Sequence, residues 1–231
     1  VEDWRLIDMI LTDEKTKHIM VDIETWGLAA SSVICSIGAV CFNIRDGIKS
    51  EFYVENLSIE DQLGLFKRTI DADTVRWWMK QSPEARKCFE KDEFYGAGLL
   101  GFHTWIKEAI GDGRFFNVEK DAVENYPYFM WSKSSFDFNI LEDAIRSYLL
   151  DIPWSYKALM DLRTLSRLIP CELKFEGTKH NALDDAKNQA LQTIDILRRF
   201  QQTCDLATTF SVTHGGFVMD EIDIGTITVS K

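Results

Sequence analysis

Residues 18–25 read His18-Ile19-Met20-Val21-Asp22-Ile23-Glu24-Thr25, an apolar run that ends in acids. An apolar stretch of this length predicts a buried strand over His18 to Glu24. Side chains alternate along a strand, so Asp22 and Glu24 share one face. Two carboxylates at the end of such a strand are costly to bury unless they are paired or bound to metal. The other reading is an exposed strand edge, and the two residues alone leave both open.

Val33 to Ile44 is rich in β-branched and small apolar residues and predicts a second strand. Asp46-Gly47 is a hairpin-turn pair, and Glu51 to Val54 is the returning strand. From Ser58 the apolar period becomes helical. A short helix is predicted over Asp71 to Lys80, capped by Asp71 or Asp73. Ser82-Pro83-Glu84 supplies a cap, an N1 proline and an acidic first turn for another helix. Leu99, Phe102, Ile106 and Ile110 form a stripe that ends before Gly111. Tyr128 to Trp131 predicts a short aromatic strand. Helices follow over Phe138 to Leu149, Asp161 to Leu168 and, the longest, His180 to Phe200. Leu183, Ala186, Ala190, Ile194 and Leu197 lie on one side of that last helix. Three antiparallel strands, then helices around a further strand, predict an α/β fold with a mixed sheet. Ser211 to Lys231 reads as a small hairpin or a docked tail.

Composition narrows the function classes. The chain has 231 residues, 45% hydrophobic and 27% charged, enough for one large domain or at most two small ones. No apolar run reaches the ~18 residues of a membrane span. Val1 to Lys17 lacks the apolar core of a signal peptide. The five cysteines form no C-x-x-C pair and predict reduced, mostly buried thiols in a cytoplasmic protein. A net charge of −11 argues against binding nucleic acid by bulk electrostatics. It does not count against an enzyme that gathers carboxylates around cations.

Two further segments carry acids. Trp131-Ser132-Lys133-Ser134-Ser135-Phe136-Asp137 runs from an aromatic strand through small residues to an acid at a helix start. In isolation Asp137 reads as an N-cap. His180-Asn181-Ala182-Leu183-Asp184-Asp185 leads into the longest helix. A loop histidine and a first-turn acid can face one cleft, or be a surface histidine and a cap. Helical phase does not separate Asp184 from Asp185.

Together, D-x-E-T at Asp22 to Thr25, F-D at Phe136-Asp137 and H-x-x-x-x-D from His180 to Asp185 resemble the DEDDh branch of the DnaQ-like exonuclease superfamily. The resemblance spans most of the chain. Ile70 to Arg86, with its adjacent Trp77 and Trp78, is similar to a phage and bacterial subgroup. That subgroup includes phage exonuclease A, exodeoxyribonuclease VIII-like phage proteins and a mycobacterial exoribonuclease-like family.

The resemblance implies a ribonuclease H-like fold and an exonuclease domain over 18–205, between an N-terminal extension over 1–17 and a C-terminal tail over 206–231. It also implies a metal-dependent 3′→5′ exonuclease that degrades single-stranded DNA or RNA to 5′-mononucleotides. Asp22, Glu24, Asp137 and Asp185 would hold two Mg²⁺ or Mn²⁺ ions, and the resemblance selects Asp185 over Asp184. His180 would be the general base, for which an imidazole's ordinary pKa of about 6.5 is suited. Ile23, Thr25, Trp26, Trp77, Trp78, Lys133 and Phe136 are the candidate substrate contacts. Arg76 and Arg86 are further candidates for phosphate, with a solvated surface as the alternative. Two positions depart from the pattern: Lys133 replaces a frequent Asn, and Trp26 intervenes before Gly27. Relatives of this kind are often dimeric, which makes a homodimer an expected possibility, and no membrane partner is expected. The competing readings are a scavenger of very short oligonucleotides and a non-catalytic nucleic-acid-binding protein on the same fold.

Overall fold

A computed structural model describes residues 16–90, 94–111 and 128–213 of the chain. The expected N-terminal extension, apart from its last two residues, lies outside these residues, as does the segment from 214 onward.

Strand β1 (Lys17–Thr25) lies at the centre of a five-stranded sheet ordered β3-β2-β1-β4-β5. Strands β2 (Ile34–Asn43) and β3 (Gly47–Val54) continue antiparallel on one side. Strands β4 (Tyr128–Ser132) and β5 (Leu159–Asp161) run parallel to β1 on the other. The mixed sheet is therefore as expected. β5 is an addition: three residues are too few to carry a periodic signal.

Alternation along β1 divides the core. Ile19, Val21 and Ile23 face a cluster with Phe102 and Ile106 of helix α3 (Tyr95–Ile110) and Ile140, Leu141 and Ala144 of helix α4 (Ser135–Ser147). Met20 faces the opposite cluster, with Trp131, Ala186, Ala190 and Ile194. The last three lie on a long helix (Ala182–Thr213) that runs past its expected end at Phe200 and through the expected tail boundary at 205. Asp22 and Glu24 continue the Met20 face toward that helix, two and four residues nearer the strand's carboxyl end.

The shorter elements follow local chemistry. α1 (Ile59–Gly64) is capped by the Ser58 hydroxyl, and α2 (Ala72–Trp78) by Asp71 rather than Asp73. Asp71 Oδ1 accepts the Thr74 N–H at 2.8 Å. The helix expected after Ser82-Pro83-Glu84 is only a 3₁₀ turn over Ala85–Phe89. The Ser82 hydroxyl accepts the Ala85 N–H as expected, but the segment ends as Ala85 and Cys88 turn into the Trp78 cluster. α5 (Leu162–Leu168) is capped by Asp161, and the long helix is α6.

Gly38 fixes how close α6 comes. It pairs with Asp22 across β1 and β2. A Cβ on Gly38 would stand 2.2 Å from the Ala182 carbonyl carbon and 2.3 Å from the Leu183 nitrogen. Those are backbone atoms, which cannot swing aside. Only glycine lets the first turn of α6 lie against the sheet at the acid pair. Gly38→Ala is expected to push α6 outward at a cost of about 1–3 kcal/mol. A misplacement near 1 Å costs about 10²-fold in rate. Thermal melts and kcat of the purified variant check this, although Gly38 offers no side chain to any ligand.

Candidate active site

Four carboxylates from three separated segments converge where β1 and β4 end. Asp22 and Glu24 come from β1. Asp137 stands in the first turn of α4 but does not cap it. The cap is the Ser134 hydroxyl, which accepts the Phe136 N–H. The Asp137 carboxylate instead turns to β1, where Oδ1 accepts the Ile23 N–H at 3.2 Å. One hydrogen bond thus joins the first acidic segment to the second.

Asp185 and Asp184 have separate tasks. Asp184 Oδ2 accepts the Thr178 N–H at 2.8 Å, pinning the turn at Gly177, which has φ +95°. Asp185 Oδ2 accepts the His180 N–H at 2.7 Å and reaches the acid face. Two asparagines complete the loop's attachment. Asn181 Oδ1 accepts the Asp184 N–H, and its amide donates to the Tyr53 hydroxyl on β3 at 2.8 Å. Asn188 exchanges hydrogen bonds with the Glu176 backbone N–H and carbonyl. His180 is thereby held at φ +63°, a left-handed conformation that non-glycine residues adopt only when their surroundings impose it. Its Nδ1 lies 4.0 Å from Glu24 Oε1, and its ring meets the Trp77 ring edge-on at 4.8 Å. Glu24, His180 and Asp185 each offer a ligand atom within 4.8 Å of the others.

Electrostatics at this face are adverse without cations. Burial pushes the Asp22 carboxyl well above the usual carboxylate range, and the charges of Asp137, Glu24 and Asp185 push it further. Burial does the same to Glu24, with Asp185 and Asp137 adding to it. Asp137 is pushed up to about 7 by burial, against the opposing pull of the Ile23 N–H and of Arg163 and Lys133. Asp185 is raised by burial despite its bond from His180. Gathered buried carboxylates with raised proton affinity are the donor set that hard divalent cations neutralise. By this test the residues fit such ions.

Groups whose folded pKa exceeds the unfolded value contribute stability at acid pH and lose it as pH rises through the folded value. Without divalent cations the protein is expected to melt at lower temperature as pH rises from about 4 to about 7, the window between an ordinary aspartate value and that of Asp137. Saturating Mg²⁺ or Mn²⁺ should reverse the loss, by roughly 5–10 °C at a hundredfold excess over Kd. Melting curves with and without chelator across that range check it. A Tm indifferent to cations would mean that the acids hold none.

Beside the acids lies a cleft of about 790 Å³. Ile23, Thr25, Trp77, Trp78 and Phe136 line it with Glu24, together with Leu28, Thr69 and Ile70. Trp77 presents an exposed face, whereas Trp78 is buried and its indole N–H donates to the Thr25 carbonyl at 2.8 Å. Trp26 and Lys133 do not line the cleft. Trp26 packs against Phe89 and Trp78 behind α2, its ring centroid 4.5 Å from that of Phe89. Lys133 opens onto a different recess, with His180 and Asp185. Arg76 pairs with Asp73, and neither it nor Arg86 reaches the cleft.

Residue reading missed Gln189. Its amide donates to Asp22 Oδ1 at 2.7 Å and so orients that carboxylate. It stands four residues after Asp185, one helical turn along the same face, which is the signal that was available. Leu28 and the Thr69–Ile70 wall belong to loops with no periodicity to betray them.

The mixed sheet, with acids of β1, α4 and α6 converging at its carboxyl edge, has the ribonuclease H-like architecture of DEDDh nucleases. Residues 17–197 match the family described as the 3′-5′ exoribonuclease Rv2179c-like domain, and the chain belongs to that family. An exodeoxyribonuclease of Enterobacteria phage T4 is 26% identical over 143 residues, covering 55% of each chain. This chain therefore spans about half the length of that phage protein. Among solved structures, the fold is similar to the nuclease domain of 3′hExo, a DEDDh family member bound to rAMP. There the TM-score is 0.53 at 15% identity, covering 81% of this chain and 94% of that one. It is also similar to E. coli exonuclease I in its zinc-bound complex with single-stranded DNA. That match has a TM-score of 0.54 at 13% identity, covering 85% of this chain and 43% of that one. No helix among the described residues is long and apolar enough to cross a membrane.

Proposed function

We propose that this domain is a cation-dependent 3′→5′ exonuclease that releases 5′-mononucleotides from single-stranded DNA or RNA. One observation carries the reading. Four carboxylates, drawn together at a cost in repulsion, share a face with a loop histidine at the mouth of a nucleotide-sized cleft. Family membership supports the same reading, as do the similar folds solved with rAMP and with single-stranded DNA bound.

Asp22, Glu24, Asp137 and Asp185 would hold two divalent cations, with Asp22 central. When bound, such a pair makes a nucleophile of water and stabilises the leaving oxygen of a phosphodiester. The chain's own residues do the rest. Gln189 and the Ile23 N–H fix the orientations of Asp22 and Asp137. His180, held at the edge of the acids, takes the proton from the attacking water. The terminal nucleoside enters the cleft, where the exposed face of Trp77 can stack on a base for about 1–3 kcal/mol without reading its identity.

Polarity tests the reading. Single strands labelled at the 5′ end should shorten stepwise with Mg²⁺ or Mn²⁺, and chelator should abolish the reaction. A 3′-phosphate should block it. Equal digestion of circular and linear strands would mean an endonuclease and would sink the proposal. Matched DNA and RNA strands in the same assay give the sugar preference.

A further inference from the structure

The recess beside the acids does not end where one nucleotide would. Leu28 and Phe136 line the cleft and also a second groove of about 600 Å³. Leu28 is 78% exposed, so the two recesses meet over a sill formed by these side chains. The far groove holds Arg146 and Arg163. Arg163 stands in the first turn of α5, two residues after the end of β5, and its backbone N–H donates to the Lys133 carbonyl, which anchors it at the carboxyl edge of the sheet. Its guanidinium has no carboxylate within ion-pair distance among the described residues, yet it acts on Asp137 from outside.

The acids in this groove are already engaged. Asp143 pairs with the buried Arg68 at 3.1 Å. Glu142 accepts from Arg146 at 2.8 Å and from the Trp154 indole N–H at 3.1 Å. Arg163 is thus an exposed, acid-free cation beside the candidate site in a chain of net charge −11. A third recess holds Lys133 and Lys179, but it shares no lining residue with the cleft. The edge contact between Trp77 and His180 stands between the two.

Resting on the exonuclease reading above, we propose that the substrate strand reaches the acids through the Arg146–Arg163 groove. Backbone phosphates 5′ to the scissile bond lie on the two guanidiniums, the strand crosses the Leu28–Phe136 sill, and the terminal nucleotide occupies the cleft. Arginine's planar fork suits phosphate oxygens, and a cationic groove that follows the backbone tolerates any sequence. The consequence is a preference for strands of several nucleotides over the shortest fragments. Arg163 is the residue that sets this length dependence.

The test compares a dinucleotide with strands of about 12 nucleotides, as oligothymidylate and as oligouridylate. Wild-type kcat/KM is expected to be higher on the longer strand. Arg163→Glu should lower the ratio of long-strand to dinucleotide kcat/KM by about tenfold or more. Binding is read separately, by fluorescence anisotropy of the longer strand in an Asp22→Asn background. There Arg163→Ala should weaken affinity and reduce the log–log salt slope by about 0.7, the value of one lost phosphate contact on a single strand. An unchanged ratio, or an equal loss on both substrates, would overturn the proposal. So would a length-selective loss confined to Lys133→Glu and Lys179→Glu, which would route the strand through the third recess. A wild-type protein inert on every strand would refute the exonuclease reading itself, and the anisotropy arm would still decide the groove.

Discussion

Asp22→Asn is expected to abolish nearly all hydrolysis while leaving the fold intact. The substitution is nearly isosteric, and an amide oxygen still accepts the Gln189 N–H that now meets Asp22 Oδ1. What disappears is one negative charge at the centre of the acid face. Deleting one electrostatic group from a preorganised site costs at least about 10²–10³-fold in kcat. The metal-free protein should meanwhile become more stable, because burial and three neighbouring carboxylates already oppose ionisation of Asp22. Lost activity combined with a higher melting temperature in chelator is a signature that a misfolded variant would not give. Near-wild-type turnover in the purified variant would reduce Asp22 to a strand-end acid.

His180→Ala is expected to lower kcat by about 10²–10⁴-fold with a smaller change in KM, the usual size for loss of general acid–base catalysis. The backbone bond from His180 to Asp185 survives side-chain removal, and all four carboxylates remain to bind cations. His180→Asn provides the control, because asparagine tolerates the left-handed backbone found at this position. If His180 only orders the loop ahead of α6, His180→Asn should restore turnover. If it moves the proton, both variants should be equally slow and both should show the cation-dependent gain in melting temperature. Isothermal titration with Mn²⁺ separates a lost proton acceptor from a lost metal site.

Much of this was legible in the residues because it depends on local rules. Alternation along His18 to Glu24 put Asp22 and Glu24 on one face, and in β1 they continue the face of Met20 toward α6. The stripe from Leu99 to Ile110 marked the buried side of α3, and all four of its residues are core. Capping rules narrowed the start of α2 to Asp71 or Asp73, of which Asp71 is the cap, and the helical stretch expected from Asp161 begins there, with Asp161 as its cap. They misled at Asp137, where Ser134 takes the cap and frees the carboxylate. They also overextended the segment after Pro83, which closes as a 3₁₀ turn.

What the chain left open depends on atoms far apart in sequence. Asp137 meets Ile23 across 114 residues and Gln189 meets Asp22 across 167. No local period encodes either distance. The choice between Asp184 and Asp185 was undecided by helical phase, and the loop that each one pins separates them. Trp77 and Trp78 are adjacent in sequence, yet packing buries one and leaves the other facing the cleft. Local sequence carries which acids exist, the strand that bears two of them and the face they share, because side-chain alternation needs only neighbours. Tertiary structure alone decided that α6 could rest on Gly38 closely enough to join Asp185 to Asp22. It also decided that Leu28 and Phe136 should stand between two recesses, because close packing is set by the whole shape of the core and not by any segment within it.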